Sequence, residues 1–124
     1  MELIRQPGEG IPLVRRYGNG SFTIGATRID GAVLIGMTVE ALSLPTFADI
    51  TPDHMAKVAA LQPRPEILLI GAGPAPATLT PDCRASLKDA GINVEVMATG
   101  AACRTFNVAL GEGRRVAALL IPID

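Results

Sequence analysis

The chain has 124 residues, 48% hydrophobic and 3% aromatic, with eleven Lys and Arg against twelve Asp and Glu. That length predicts one domain burying roughly two-thirds of its unfolded surface, so neither a disulfide nor a metal is needed to explain folding. A formal charge of −1 and the absence of Trp argue against nucleic-acid binding, which calls for a basic excess and rings to stack on.

Thirteen Gly and ten Pro are scattered between periodic segments, a pattern of turns rather than disorder. The N-terminal MELIRQPGEG lacks the apolar stretch of a secretory signal, and no apolar run is long enough to span a bilayer. Cys83 and Cys103 suggest free thiols in a reducing compartment. The expected location is a prokaryotic cytoplasm.

In chain order, residues 11–17 (IPLVRRY) predict a first strand with Pro12 near its start. Asn19-Gly20 supplies a hairpin turn. Beyond it Phe22, Ile24 and Ala26 alternate with Thr23, Gly25 and Thr27, the period of a half-buried strand. Asp30-Gly31 repeats the turn signal before a strand over 32–36, which makes an N-terminal three-strand β-meander. Gly25 and Gly36, inside these strand patterns, mark a bulge, a close backbone approach or a ligand. Residues 39–44 read as a further strand stopped by Pro45, and 46–50 as a loop.

Thr51-Pro52-Asp53 opens a helix, with Thr as the cap and Pro in the first turn, and Pro63 and Pro65 end it. Ile50 and Met55 have the spacing of a hydrophobic staple. His54, the lone histidine, has no partner at catalytic or metal spacing and reads as an exposed helix-start residue. The apolar run over 66–70 predicts a strand covered on both faces, left through Gly71-Ala72-Gly73. Thr80-Pro81-Asp82 starts a second helix with Cys83 and Leu87 facing inward and Gly91 as a left-handed cap. Residues 93–97 form the next strand. Thr99 caps a third helix carrying Ala102, Cys103, Phe106, Ala109 and Leu110, and 115–121 is the last strand. This C-terminal half is β-α-β-α-β with parallel strands, and the fold class is α/β: a single domain with a mixed central sheet covered by helices.

The Gly71–Gly73 turn invites a dinucleotide-binding reading. Pro76 stands at the third glycine position, the next helix starts late, and Glu95 lies mid-strand rather than at a strand end, so a bent loop fits better. The stronger candidate is TGAACRT over 99–105, where a helix N-terminus suits an anion, Gly100 permits close approach, and Arg104 and Thr105 add a charge and a hydroxyl. The same residues fit a plain cap with Arg104 paired to a carboxylate. Both turns fall beyond the carboxyl ends of strands, where open α/β sheets bind ligands. Gly71, Gly73, Thr99, Gly100, Arg104 and Thr105 therefore form the candidate ligand site. Cys103 is the candidate catalytic nucleophile, its thiol pKa lowered by the helix start and Arg104, with Cys83 a resolving thiol if the two helix starts meet. No base accompanies it, and a buried, inert thiol is the commoner state. No Cys, His, Asp and Glu cluster has metal-ligand spacing.

The stretch VEVMATGAACRTFNVALGEGRRVAALLIP, with PEILLIGAG and YGNGSFTI upstream, resembles the Mth-domain (DUF498-type) family. That family includes mitochondrial respiratory complex I assembly factors and adipogenesis-associated Mth-domain proteins. The likeness covers residues 11–122, and its most specific block falls on Ala101, Ala102, Cys103, Arg104, Thr105 and Asn107, with the glycine turn on Gly71 and Gly73. The resemblance implies a three-layer fold around a mixed central sheet, and a non-enzymatic binding or assembly-factor-like role through a protein partner, with no cofactor. This chain has Ala98 where the family often has an acidic residue, Phe106 where it often has Tyr, and no Trp ahead of the first helix. Loss of that carboxylate weakens an acid–base reading and leaves anion binding untouched. The alternatives are a small-molecule (anion or nucleotide) binding protein, a thiol enzyme, and a homodimer formed along an uncovered strand edge.

Overall fold

The computed structural model describes residues 11–124. Strands β1 (Val14–Gly18), β2 (Ser21–Ile24) and β3 (Thr27–Asp30) make a small antiparallel sheet in that order. The sequence placed one strand through Phe22 and Thr27, but the chain reverses at Gly25, whose φ is +58°. The meander's third strand is therefore β3, and its TRID sequence carries a single apolar residue, too little to register as a period. Asp30-Gly31 is no hairpin turn. It delivers the chain from the small sheet into β4 (Ala32–Ile35), which belongs to the central sheet.

That central sheet has the order β5-β4-β8-β6-β7. β5 (Val39–Leu42) pairs antiparallel with β4, and β4 antiparallel with β8 (Val116–Leu120), while β6 (Ile67–Gly71) runs parallel to both β8 and β7 (Asn93–Met97). A short 3-10 turn at Phe47–Asp49 precedes α1 (Pro52–Ala59), and α2 (Pro81–Asp89) and α3 (Thr99–Gly111) complete the chain order. The C-terminal half is the expected β-α-β-α-β unit, and the sheet is mixed because β4 runs antiparallel to both of its neighbours, β8 and β5.

Strand alternation builds the layers. Leu34, Leu68, Ile70, Ala117 and Leu119 face one side, where they share a core with Met55 and Val58 of α1 and Cys83 and Leu87 of α2. Ile35, Leu69, Ala118 and Leu120 face the other, with Ala102 and Phe106 of α3 and Phe22 and Ile24 of β2. Being covered on both faces is why β4, β6 and β8 read as unbroken apolar runs. Each large side chain hidden this way contributes roughly 1.5–3 kcal/mol relative to exposure. The result is the three-layer fold: α1 and α2, the five-stranded sheet, then α3 beside the small sheet.

The helix ends follow local chemistry. At α1 the Thr51 N–H donates to His54 Nδ1 at 2.9 Å, so the histidine, half-buried rather than exposed, takes the part a Glu plays in a capping box. At α2 the Cys83 N–H donates to the Thr80 hydroxyl at 3.3 Å. The same helix closes when the Ile92 N–H donates to the Leu87 carbonyl at 2.9 Å across Gly91.

Candidate functional site

β6 and β8 end level with one another, Gly71 opposite Leu120. The start of α3 lies against this end. The Thr99 N–H donates to the Gly73 carbonyl at 2.8 Å, and the Ile121 N–H donates to the Gly71 carbonyl at 2.9 Å. Between them the Thr99 hydroxyl accepts from the Gly73 N–H at 2.9 Å and donates to the Ile121 carbonyl at 2.7 Å. Thr99 is fully buried. It is not the helix cap that the sequence suggests, because its hydroxyl is committed to the two strand ends; Ala98 takes the cap position without a side-chain bond. A Cβ on Gly71 would stand 2.9 Å from Thr99 Cα. The turns at 71–73 and 99–100 do meet, and what they form is a packed joint in which each fills the space beside the other. Gly100 is covered as well, since a Cβ there would lie 2.9 Å from the Tyr17 hydroxyl. Glu95 is exposed on the outer strand β7, and α2 begins only at Pro81, well past the Gly71–Gly73 turn.

One turn further along α3 the chemistry opens outward. Arg104 is exposed and donates from Nη1 to the Tyr17 hydroxyl at 2.9 Å, a phenol where a carboxylate was the expected partner. Asn107 clamps β1 to α3: the Val14 N–H donates to Oδ1 and Nδ2 donates to the Val14 carbonyl, both at 2.9 Å. Just past this clamp β1 is irregular. Val14 pairs with Ile24 and Arg16 with Thr23, which leaves Arg15 as the extra residue of a bulge. Arg16 faces Thr23, and Thr23 faces Arg28, so these three side chains stand in one row across the small sheet.

An open cavity of about 560 Å³ runs along β1 where it meets α3, lined by Arg15, Arg16, Arg28 and Arg104 together with Tyr17 and Asn107. Among the described residues, no Asp or Glu lines it. Arg28 also lies 3.2 Å from Asp30, an exposed pair. Of the candidate ligand residues, Arg104 reaches this cavity, whereas Gly71, Gly73, Thr99 and Gly100 lie in the joint behind it and Thr105 is exposed outside its lining. Arg15, Arg16, Arg28 and Tyr17 are the residues that sequence reasoning missed. The signal available was the Arg-Arg doublet beside a hairpin turn, but Arg28 joins it only through β3.

Cys103 borders the same cavity yet is 1% exposed. Burial pushes its thiol up to about 12, and the Arg104 charge and a backbone hydrogen bond offset only part of that rise. The direction is opposite to the lowered pKa expected from the helix start, because desolvation of a thiolate outweighs one exposed guanidinium. Cys83 lies in the core on the far side of the central sheet, so the starts of α2 and α3 do not bring the thiols together.

No described helix is long and apolar enough to cross a membrane. Residues 14–121 match the family described as "Protein of unknown function (DUF498/DUF598)". The NADH dehydrogenase (ubiquinone) 1 alpha subcomplex assembly factor 3 of Mus musculus is 37% identical over 107 residues, 86% of this chain and 58% of that protein. The chain thus spans less than two thirds of that relative's length. A Bartonella henselae structure described as an outer membrane protein superimposes with a TM-score of 0.80 at 33% identity, covering 91% of this chain and 98% of the other. A Bordetella pertussis protein described as an Mth938-like domain gives a TM-score of 0.83 at 28% identity, covering 98% of this chain and 92% of the other. With the match running through nearly every element of both sheets, the chain belongs to the DUF498/DUF598 family, the Mth-domain group that its central block resembles.

Proposed function

We propose that the chain is a non-catalytic binding protein of the assembly-factor kind, holding a protein partner while a larger complex is put together. The observation that carries the reading is the 37% identity to the mouse NADH dehydrogenase assembly factor across 86% of this chain. The chemistry around α3 supports it. Thr99 and Asn107 are occupied by internal hydrogen bonds, and the charged side chains that line the adjoining cavity are arginines. The thiol-enzyme alternative needs a thiolate at Cys103, and a buried thiol raised to about 12 weighs against it.

The test is genetic and biochemical together. Deleting the gene in its host should lower the amount of assembled NADH dehydrogenase on native gels, and the tagged chain should co-purify with unassembled subunits of that enzyme. Normal assembly in the deletion strain, with none of those subunits on the tagged chain, would sink the reading.

A further inference from the structure

Among the described residues, four of the ten basic side chains line one cavity in a chain whose net charge is −1, and no described carboxylate shares that lining. We propose that this cavity binds an acidic peptide segment, a stretch of the partner with several closely spaced Asp or Glu side chains. The proposal rests on the binding-protein reading above and adds to it the surface and the chemistry of the partner.

The geometry suits an extended chain. Arg16 and Arg28 flank Thr23 on adjacent strands, so their Cα atoms stand about 10 Å apart, a span that about three residues of extended peptide cover. The bulge at Arg15 turns that side chain into the same cavity as Arg16. Arg104 is oriented by the Tyr17 hydroxyl through Nη1, which leaves its other N–H groups for a carboxylate. A guanidinium fork matches a carboxylate in two parallel hydrogen bonds, which a lysine does not.

Why a peptide and not a small anion follows from exposure. All four arginines are exposed, and one exposed ion pair changes affinity by up to about fivefold. A single small anion gains little here, whereas a segment with several carboxylates sums the contacts. Nucleic acid is the poorer fit. Among the described residues Tyr17 is the one aromatic ring in the lining, and a single ring makes no stacking platform. Among the described residues, six basic side chains outside the cavity stand against ten acidic ones, which repels a long phosphate backbone.

The probe is a dye-labelled octapeptide rich in Glu, titrated with the full chain by fluorescence anisotropy at low and at physiological salt. Saturable binding is expected, weakening by about tenfold at the higher salt as exposed charges are screened. Arg16→Glu with Arg104→Glu should abolish it, and Arg15→Glu with Arg16→Glu, which leaves α3 unaltered, should do the same. Binding unchanged in either folded variant overturns the proposal, as does equal binding of a Gln octapeptide. Pyrophosphate or a single-stranded oligonucleotide that displaces the peptide at lower concentration than unlabelled peptide also overturns it. If the double variant still captures the same NADH dehydrogenase subunits as the unaltered chain, the cavity assignment fails while the assembly reading stands. If the unaltered chain captures none, the assembly reading itself fails.

Discussion

The Thr99 hydroxyl uses both its donor and its acceptor inside the joint, toward the Ile121 carbonyl and the Gly73 amide. Thr99→Val keeps the shape and leaves both partners unsatisfied, at about 1–3 kcal/mol for each buried group. Urea unfolding should therefore lose at least about 2 kcal/mol with its slope unchanged; a loss below about 0.5 kcal/mol would show that water replaces the hydroxyl. Two glycines nearby separate backbone from side-chain crowding. Gly71→Ala drives a Cβ to 2.9 Å from Thr99 Cα, and Gly100→Ala drives one equally close to the Tyr17 hydroxyl, the far end of a side chain that can swing out. Thermal unfolding should show Gly71→Ala destabilised by about 1–3 kcal/mol. Gly100→Ala should stay near neutral, since helix propensity returns about 1 kcal/mol. Sequence reasoning placed these residues together and read them as a ligand cradle. Gly and Thr are what both a cradle and a joint require, and the partner that tells them apart, the Ile121 carbonyl, lies 22 residues further on.

At the scale of elements, Asn107 stands in for a neighbouring strand by bonding both backbone groups of Val14. Asn107→Ala should release the small sheet from α3 and cost about 1–3 kcal/mol. Amide hydrogen exchange should then speed up across β1, β2 and β3 more than in β6 and β8; uniform acceleration would mean that the clamp stabilises the whole core alike. The C-terminal half was legible because β6 and β8 are apolar on both faces and α2 carries a Thr-Pro start and a glycine stop. The N-terminal half was harder. β3 is polar, and Gly25 looked like part of a strand because the residues on either side of the turn happen to keep the same alternation. That single misreading hid the row of Arg16, Thr23 and Arg28, and with it most of the arginine cavity.

One pH-dependent contribution to the stability of the whole molecule sits in the core around α3. Cys103 is raised from the ordinary 9.0 to about 12 by burial. Above about pH 9 the unfolded chain releases this thiol proton while the folded chain keeps it, so the folded state binds more protons and stability falls as pH rises. The contribution is fully present below the unfolded value and is lost as pH climbs toward the folded one. Cys103→Ala removes it, so the stability difference between the two chains should shrink steadily above about pH 9 in urea titrations; a constant difference would place the thiol in contact with water. Cys83 and Cys103 are 0% and 1% exposed and pack against opposite faces of the five-stranded sheet. A disulfide needs Cα atoms within about 7 Å, so the sheet acts as an insulating wall between them. The unpaired thiols suggested a reducing compartment, yet walled off in this way they neither bridge nor meet an oxidant while the chain is folded. Its melting temperature should be the same with and without a reductant, a fold whose stability is indifferent to the redox state of its surroundings.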